Sequence, residues 1–295
     1  MMKCLYEYND DATVKSAASQ LQRNRCFRNS FDLWCCQITP VDCTAIVYFL
    51  RNTEQMNYSL YLGANSLGEG GCKELAKLLI EGGPVKLHLR KNEITDQGLI
   101  SVIRAISANN CKLQKLSLGL NDLISPDALV LLCESLKTKS CKLTRLELGG
   151  LQITEHVLSH LCESLEHANC KITNLRFNDE ELWTDAVLLK FCQALKHQNC
   201  QVSSLRIECQ KISNQGVQHF CETLESEHCK LEKLELISNR MAAVVVPFIR
   251  RSLSHPNCKL CKLNIISWNI NQQVKRDLEE ALQAACHQRN AHSTK

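Results

Sequence analysis

Proline and glycine are scarce in this chain of 295 residues, at 5 and 11. Their scarcity excludes a long flexible linker and a fibrous repeat. Long apolar runs are missing as well. The longest, Met241 to Ile249, contains Pro247 and falls far short of the ~20 residues that a membrane-spanning helix needs. Charge of one sign is also lacking, with 35 Lys and Arg against 31 Asp and Glu, a net of +4. That is too little for a nucleic-acid surface unless it is gathered in one patch. The opening stretch from Met1 to Asp11 has no apolar core and turns acidic at once, so no secretory signal is expected in it.

Cysteine is what the chain has in excess, with 19 residues. A secreted disulfide scaffold would be shorter and would follow a signal peptide. The expectation is a cytoplasmic protein with reduced thiols, in which most cysteines pack as small hydrophobes. Asn57-Tyr58-Ser59 has the form of a glycosylation acceptor, which such a protein leaves unused. With 44% hydrophobic and 22% charged residues, the chain reads as globular rather than disordered.

Self-similarity organises the rest. Leu113, Leu143, Ile172, Val202, Leu231 and Leu260 recur every 29 or 30 residues, and each follows a Cys-Lys or Cys-Gln pair. Taking these as position 1, positions 4 and 6 are apolar in every copy, as in Leu116 and Leu118 or Leu146 and Leu148. Position 11 is apolar too: Leu123, Ile153, Leu182, Ile212, Met241 and Ile270. The frame extends backwards through Leu87 and Leu89, Leu60 and Leu62, and Phe31 and Leu33. Nine repeats result, starting near residues 28, 57, 84, 113, 143, 172, 202, 231 and 260.

Positions 4 and 6 alternate with period two, which predicts a short strand with one buried face. The second half of each repeat is spaced i, i+3, i+4, i+7, as in Leu129, Leu132, Cys133 and Leu136. That is the apolar stripe of an amphipathic helix. Arg250 interrupts it in the eighth repeat and should sit at its edge with the head in water. One strand and one helix cannot bury their own apolar faces, so neighbouring repeats must stack. The expected fold is α/β, a solenoid with a parallel inner sheet and outer helices. It curves because helices are wider than the ~4.8 Å between strands. Ten cysteines fall in two repeated interior slots: six before position 1, and Cys133, Cys162, Cys192 and Cys221 in the helix stripe.

The repeat resembles the leucine-rich repeat of the ribonuclease-inhibitor type. Asn at position 9 supports this in Asn65, Asn92, Asn121 and Asn239, while Cys36, Leu151, Glu180, Gln210 and Trp268 depart from it. The resemblance implies a horseshoe in which that Asn satisfies backbone groups where the chain leaves the strand, with looser turns in the departing repeats. Leu-Cys-Glu-Ser-Leu at 132–136 and 161–165, with Asn-Cys-Lys-Ile at 169–172, is similar to the C-terminal repeats of NOD-like receptors. So is the opening Lys3-Cys4-Leu5-Tyr6-Glu7, which resembles the helical segment ahead of those repeats. The resemblance implies a cytosolic innate-immune role: sensing a ligand, and restraining the signalling modules of a full receptor. Such a receptor carries a nucleotide-binding module, and these residues contain none. The glycine cluster from Gly63 to Gly71 has Gly-x4-Gly followed by Glu-Gly instead of Lys-Ser/Thr. It reads as a repeat loop entering a helix, and no cofactor is expected. The chain is then a fragment, a short isoform or a stand-alone repeat protein.

Candidate chemistry is thin, and no enzyme is expected. His156 and His160 are spaced i, i+4 with Cys162 nearby, but Glu155 precedes the first His and the metalloprotease signature is not met. Cys258 and Cys261 form a C-x-x-C without a second one. No metal or catalytic group is assigned.

A working surface is expected on the concave face, where positions 2, 3, 5, 7 and 8 project. It carries Trp34 and Tyr61 at its N-terminal end, then Lys86, His88, Arg90, Lys91, Lys115, Arg145, Glu147, Arg176 and Arg206. Nine Lys and Arg stand against six acids on this face, and the excess gathers in the third and fourth repeats. Protein partners are expected there, since aromatic and Arg side chains are the favoured anchors of interfaces. A ribonuclease-inhibitor-like enzyme inhibitor is the alternative, although its basic targets call for an acidic face. Nucleic acid is not favoured, because aromatics are sparse and the signs are mixed. The domains read as an N-terminal helical segment over 1–27, the repeats over 28–270, and a C-terminal capping helix and tail over 271–295. The cap is expected from Gln272 to Gln288, with Leu278, Ala281, Leu282 and Ala285 on one stripe.

Overall fold

A computed structural model describes residues 6–7, 10–23, 29–53, 57–178, 182–208, 211–237, 243–267 and 271–293. They fall into two compact parts, residues 1–152 and 153–295.

The N-terminal part opens with helix α1 (Asp11–Arg23) and then alternates strand and helix. Its strands are β1 (Ser30–Asp32), β2 (Ser59–Tyr61), β3 (Lys86–His88), β4 (Lys115–Ser117) and β5 (Arg145–Glu147). Between them lie α2 (Pro40–Arg51), α3 (Gly68–Ile80), α4 (Asp96–Ile106) and α5 (Pro126–Ser135). The C-terminal part holds α6 (Glu155–Leu165), β6 (Asn174–Asn178), α7 (Asp185–Leu195), β7 (Ser204–Glu208) and α8 (Asn214–Leu224). It continues with β8 (Lys233–Ile237), α9 (Val246–Leu253), β9 (Lys262–Ile266) and α10 (Gln272–Ser293). Within each part the strands pair in parallel and in sequence order, which makes the fold an α/β leucine-rich-repeat solenoid.

The register follows the repeat. Phe31, Leu60, Leu87, Leu116 and Leu146 stand side by side, and so do Leu175, Leu205, Leu234 and Leu263. All but Leu263 are almost wholly buried. Helix stripes close over the other side of this core: Leu99, Val102 and Ile106 from α4, and Leu188, Phe191, Cys192 and Leu195 from α7. Burying each Leu contributes about 2 kcal/mol, so stacking repeats is what makes three-residue strands stable.

Leaving the strand costs a left-handed backbone. Position 8 has a positive φ in the first five repeats: Cys35 (56°), Ala64 (55°), Lys91 (56°), Leu120 (55°) and Gly150 (75°). Only Gly150 takes this conformation without strain. The asparagine at position 9 compensates. Asn121 is 1% exposed; its Nδ2 donates to the carbonyls of Leu89 and Leu118, and its Oδ1 accepts from the amides of Asn92 and Ile94. Asn65 serves Cys36, Ile38, Leu33 and Leu62 in the same way. Each asparagine thus ties its own turn to that of the preceding repeat. Leu151 is buried in this slot, and Glu180, Gln210, Asn239 and Trp268 lie outside the described residues.

Helices start from Thr or Ser caps. Thr39, Thr95, Ser125, Thr154, Thr184 and Ser213 each accept a backbone amide of the first turn. Asp96 and Asp185, at the first helical position, accept from both the amide and the hydroxyl of the next repeat's cap, Ser125 and Ser213.

Position 11 needs a correction. Leu123 is 60% exposed, and Ile124 is the buried residue. In the sixth repeat Trp183 is fully buried beside Leu182 and meets Phe177 and Phe191 edge to face, with centroids 5.2 and 5.4 Å away. The fourth and sixth are the 30-residue repeats, and their extra residue sits between position 9 and the helix cap. The buried side chain therefore moves one place along. Met241 and Ile270 lie outside the described residues.

The ten slotted cysteines are buried. Burial pushes the thiols of Cys162, Cys192 and Cys221 up to about 12. Arg250 has its head half in water, 3.6 Å from Asp277. In α10, Leu278, Leu282 and Ala285 are buried while Ala281 is half-buried. The helix continues to Ser293, beyond the expected stop at Gln288. Of the apolar residues that a short helix over 10–24 would turn to the first repeat, Val14 is fully buried and Ala17 half-buried, while the side chains of Ala18 and Leu21 lie outside the described set.

Two outcomes follow. Asn121→Ala strands buried amides and carbonyls without partners, and should lower stability by about 3 kcal/mol in urea unfolding; an unchanged midpoint would remove the asparagine from the account of the turn. Brief iodoacetamide treatment with peptide mapping should label the exposed Cys35, Cys36 and Cys261. Cys133, Cys162, Cys192 and Cys221 should react only after unfolding, and equal labelling rates would contradict their packing.

Candidate functional site

The strand face opposite the helices in the N-terminal part gathers most of the expected site. Parallel register sets its columns. One runs Ser59, Lys86, Lys115, Arg145; the next runs Asp32, Tyr61, His88, Ser117, Glu147. Neighbours in a column belong to different repeats, so residues some thirty positions apart touch.

Tyr61 and His88 stack, with centroids 4.3 Å apart and planes 19° from parallel. Nε2 of His88 is buried and has no hydrogen-bond partner. Burial first, then Lys115, Arg145 and Lys86, pull the imidazole down to about 4 against a partial opposing effect of Glu147. His88 is therefore a neutral ring at physiological pH.

Trp34 is 46% exposed. Its indole lies on Gly63, where a Cβ would sit 2.0 Å from a ring carbon, so only glycine leaves room for it. Asp32 accepts the Trp34 amide at 3.1 Å.

The charges divide into two sets. Oε1 of Glu147 lies 3.0 Å from Lys115 Nζ and 2.9 Å from Arg145 Nη2, so this acid holds both cations. Lys86, Arg90 and Lys91 make no ion pair or side-chain hydrogen bond among the described residues. Lys86 and Lys91 are exposed and Arg90 half-buried. The unpaired positive charge thus lies in the third repeat, while Lys115 and Arg145 share one carboxylate and keep a net +1.

In the C-terminal part Arg176 and Arg206 are in register. Arg206 contacts Glu208 at 2.9 Å and Glu235 at 3.1 Å, and these acids push its guanidinium pKa further up. Asp179, expected on this face, lies outside the described residues. His156 and His160 meet edge to face at 4.7 Å, while Cys162 is buried in the helix stripe. Cys258 is buried and Cys261 exposed, so the C-x-x-C is split between core and surface. The glycine cluster runs into α3, as a repeat loop should.

Composition could not show the pairing of Lys115 and Arg145 with Glu147, because it depends on strand register. Counting columns from position 4 puts these side chains on adjacent strands without showing which of them touch.

His88 gives the site a pH signature. The unfolded imidazole takes up a proton near 6.5, which the folded one refuses until about 4. Stability from this residue is full above about 6.5 and is lost as pH falls towards 4. His88→Gln should flatten the fall in urea midpoint over that window; an unaltered pH slope would count against the buried neutral ring.

No family model matches the chain. It is 32% identical over 160 residues to NACHT, LRR and PYD domains-containing protein 5 of Mus musculus, covering 52% of this chain and 14% of that protein. It is 31% identical over 129 residues to NACHT, LRR and PYD domains-containing protein 13 of Homo sapiens, covering 43% and 12%. The matched stretch thus spans about an eighth of these relatives' length. Among solved structures, the leucine-rich repeat-containing protein LegL7 from Legionella pneumophila superposes with a TM-score of 0.52 at 18% identity, covering 87% of this chain and 90% of that one. At that identity the likeness speaks for the fold alone. No helix among the described residues is long and apolar enough to cross a membrane. Repeat and fold agree that the chain is a leucine-rich-repeat solenoid, and in sequence its repeats are similar to part of these NACHT, LRR and PYD domains-containing proteins.

Proposed function

We propose that the chain is a non-enzymatic, cytoplasmic protein-interaction module in innate-immune sensing or its regulation, and that it engages partners through the strand face of its N-terminal part. The observation that carries this reading is the exposed Trp34 on the same face as Lys86, Arg90 and Lys91, which have no ion pairs among the described residues. An exposed Trp and an Arg are residue types that anchor interfaces, and unpaired cations on the same face add attraction for an anionic partner. The strands beneath them are fixed by cross-repeat hydrogen bonds, so little ordering is left for a partner to pay.

The relatives named for NACHT and PYD domains support a place beside signalling modules. There this region would dock against those modules and restrain them; on its own it would act as a decoy or regulator. The thiols support binding over catalysis. Cys43, Cys72, Cys162, Cys192 and Cys221 are held protonated by burial, at about 12, and offer no nucleophile.

The test is affinity purification from cytosol with partners identified by mass spectrometry. Partners should be lost, with affinity down at least tenfold, when Lys86, Arg90 and Lys91 are all changed to Glu. They should be kept when Lys77 on α3 is changed to Glu. Retention of every partner by the triple variant would discard this face.

A further inference from the structure

We infer that the face of β2 to β4 takes an acidic polypeptide segment, with its carboxylates on Lys86, Arg90 and Lys91 and an apolar side chain against Trp34. This deepens the protein-binding reading above and rests on it.

The charge balance of the face comes first. Among the described residues none of the nearby carboxylates of the N-terminal face pairs with Lys86, Arg90 or Lys91, although Asp32 and Glu93, bonded only to neutral groups, keep their charge. Glu147 holds Lys115 and Arg145. Asp32 accepts the amide of Trp34. Glu93, two residues past Lys91, accepts from Ser66 at 3.3 Å. Lys86, Arg90 and Lys91 are left without an anion among the described residues. In the C-terminal part the corresponding column is self-sufficient, since Arg206 has both Glu208 and Glu235. The deficit of negative charge is therefore local, and an incoming anion is what would fill it.

Geometry then selects the kind of anion. Lys86 and Arg90 are four residues apart on nearly extended chain, about 13 Å at the rise of a strand. Carboxylates at alternate positions of an extended peptide repeat about every 7 Å, which suits that span. Trp34 offers one exposed ring face, because its other face rests on Gly63. Tyr61 is already stacked on His88. Single-stranded nucleic acid needs a succession of free rings and a longer track of cations. Here there is one free ring and three cations, too short a track for such a chain. His88 adds a reporter: a carboxylate bound beside Lys86 offsets the positive field on the imidazole, so its titration moves upward when the site is filled.

The experiment is fluorescence anisotropy with a labelled Glu-rich peptide containing one Leu, beside a labelled oligothymidylate and a Lys-rich peptide. The Glu-rich peptide should bind, and more weakly as salt rises. Binding should fall at least tenfold in K86E/R90E/K91E and about threefold in W34A, and stay unchanged in K77E. Thermal melting by circular dichroism confirms that each variant is folded. In the wild-type chain, the NMR titration of His88 should shift upward with the peptide present. Equal peptide affinity in the triple variant, or tighter binding of oligothymidylate, would overturn the inference. If the triple variant loses its cytosolic partner while the wild-type chain ignores the acidic peptide, the binding face stands and the acidic ligand falls. If neither assay responds to the triple change, both readings fall.

Discussion

No single repeat of this chain can bury its own apolar face. A three-residue strand such as Lys86–His88 carries one inward leucine, and its helix carries one stripe. Each becomes dry only when a neighbour in parallel register covers it. Everything else follows from that need. Position 4 is leucine in eight repeats and Phe31 in the first because the column must be continuous. The turn must come at the same place each time, so Cys35, Ala64, Lys91 and Leu120 accept a left-handed backbone that their side chains disfavour. Asn65 and Asn121 make that acceptable by bonding across two repeats. The cysteines fit the same need, since a small apolar group is what the crowded slots beside each strand can hold.

The same periodicity builds the surface. Parallel register brings residues thirty positions apart into columns, so the character of the open face is decided by side chains that never meet in sequence. Glu147 pairs with Lys115 from the next repeat. His88 is kept neutral by burial and by cations from three strands. Lys86, Arg90 and Lys91 stand beside this network without belonging to it. The face is thus partly paired within itself, with its unpaired cations gathered in the third repeat.

Much of this was legible in the residues. Positions 4 and 6 alternate without exception, so strand, register and core column could be read before any coordinates. The helix stripe was equally plain, down to its cysteines. Position 11 was misread in the fourth repeat, and in the sixth it found Leu182 but not Trp183, because counting forward from the strand ignores the extra residue in the turn. Counting back from the helix cap would have placed it: Ile94-Thr95, Ile124-Ser125, Ile153-Thr154 and Trp183-Thr184 are the same apolar-cap pair. Trp183 escaped notice for that reason, although it is among the largest fully buried side chains. The basic character of the third repeat was visible in sequence, whereas the loss of Lys115 and Arg145 to Glu147 was not, since ion pairing is a matter of diagonal distance across strands.

The outermost strand of the C-terminal part has its own safeguard. Among the described residues β9 hydrogen-bonds to β8 alone, which leaves a row of backbone groups of the kind that recruits foreign chains. Arg289 of α10 reaches back and donates its guanidinium to the carbonyls of Cys258 and Leu260, just ahead of that strand. A planar, permanently charged group seated on those oxygens is a poor template for cross-β growth. The arrangement occupies two backbone oxygens at the entry to the outermost strand, which an incoming chain would otherwise find open.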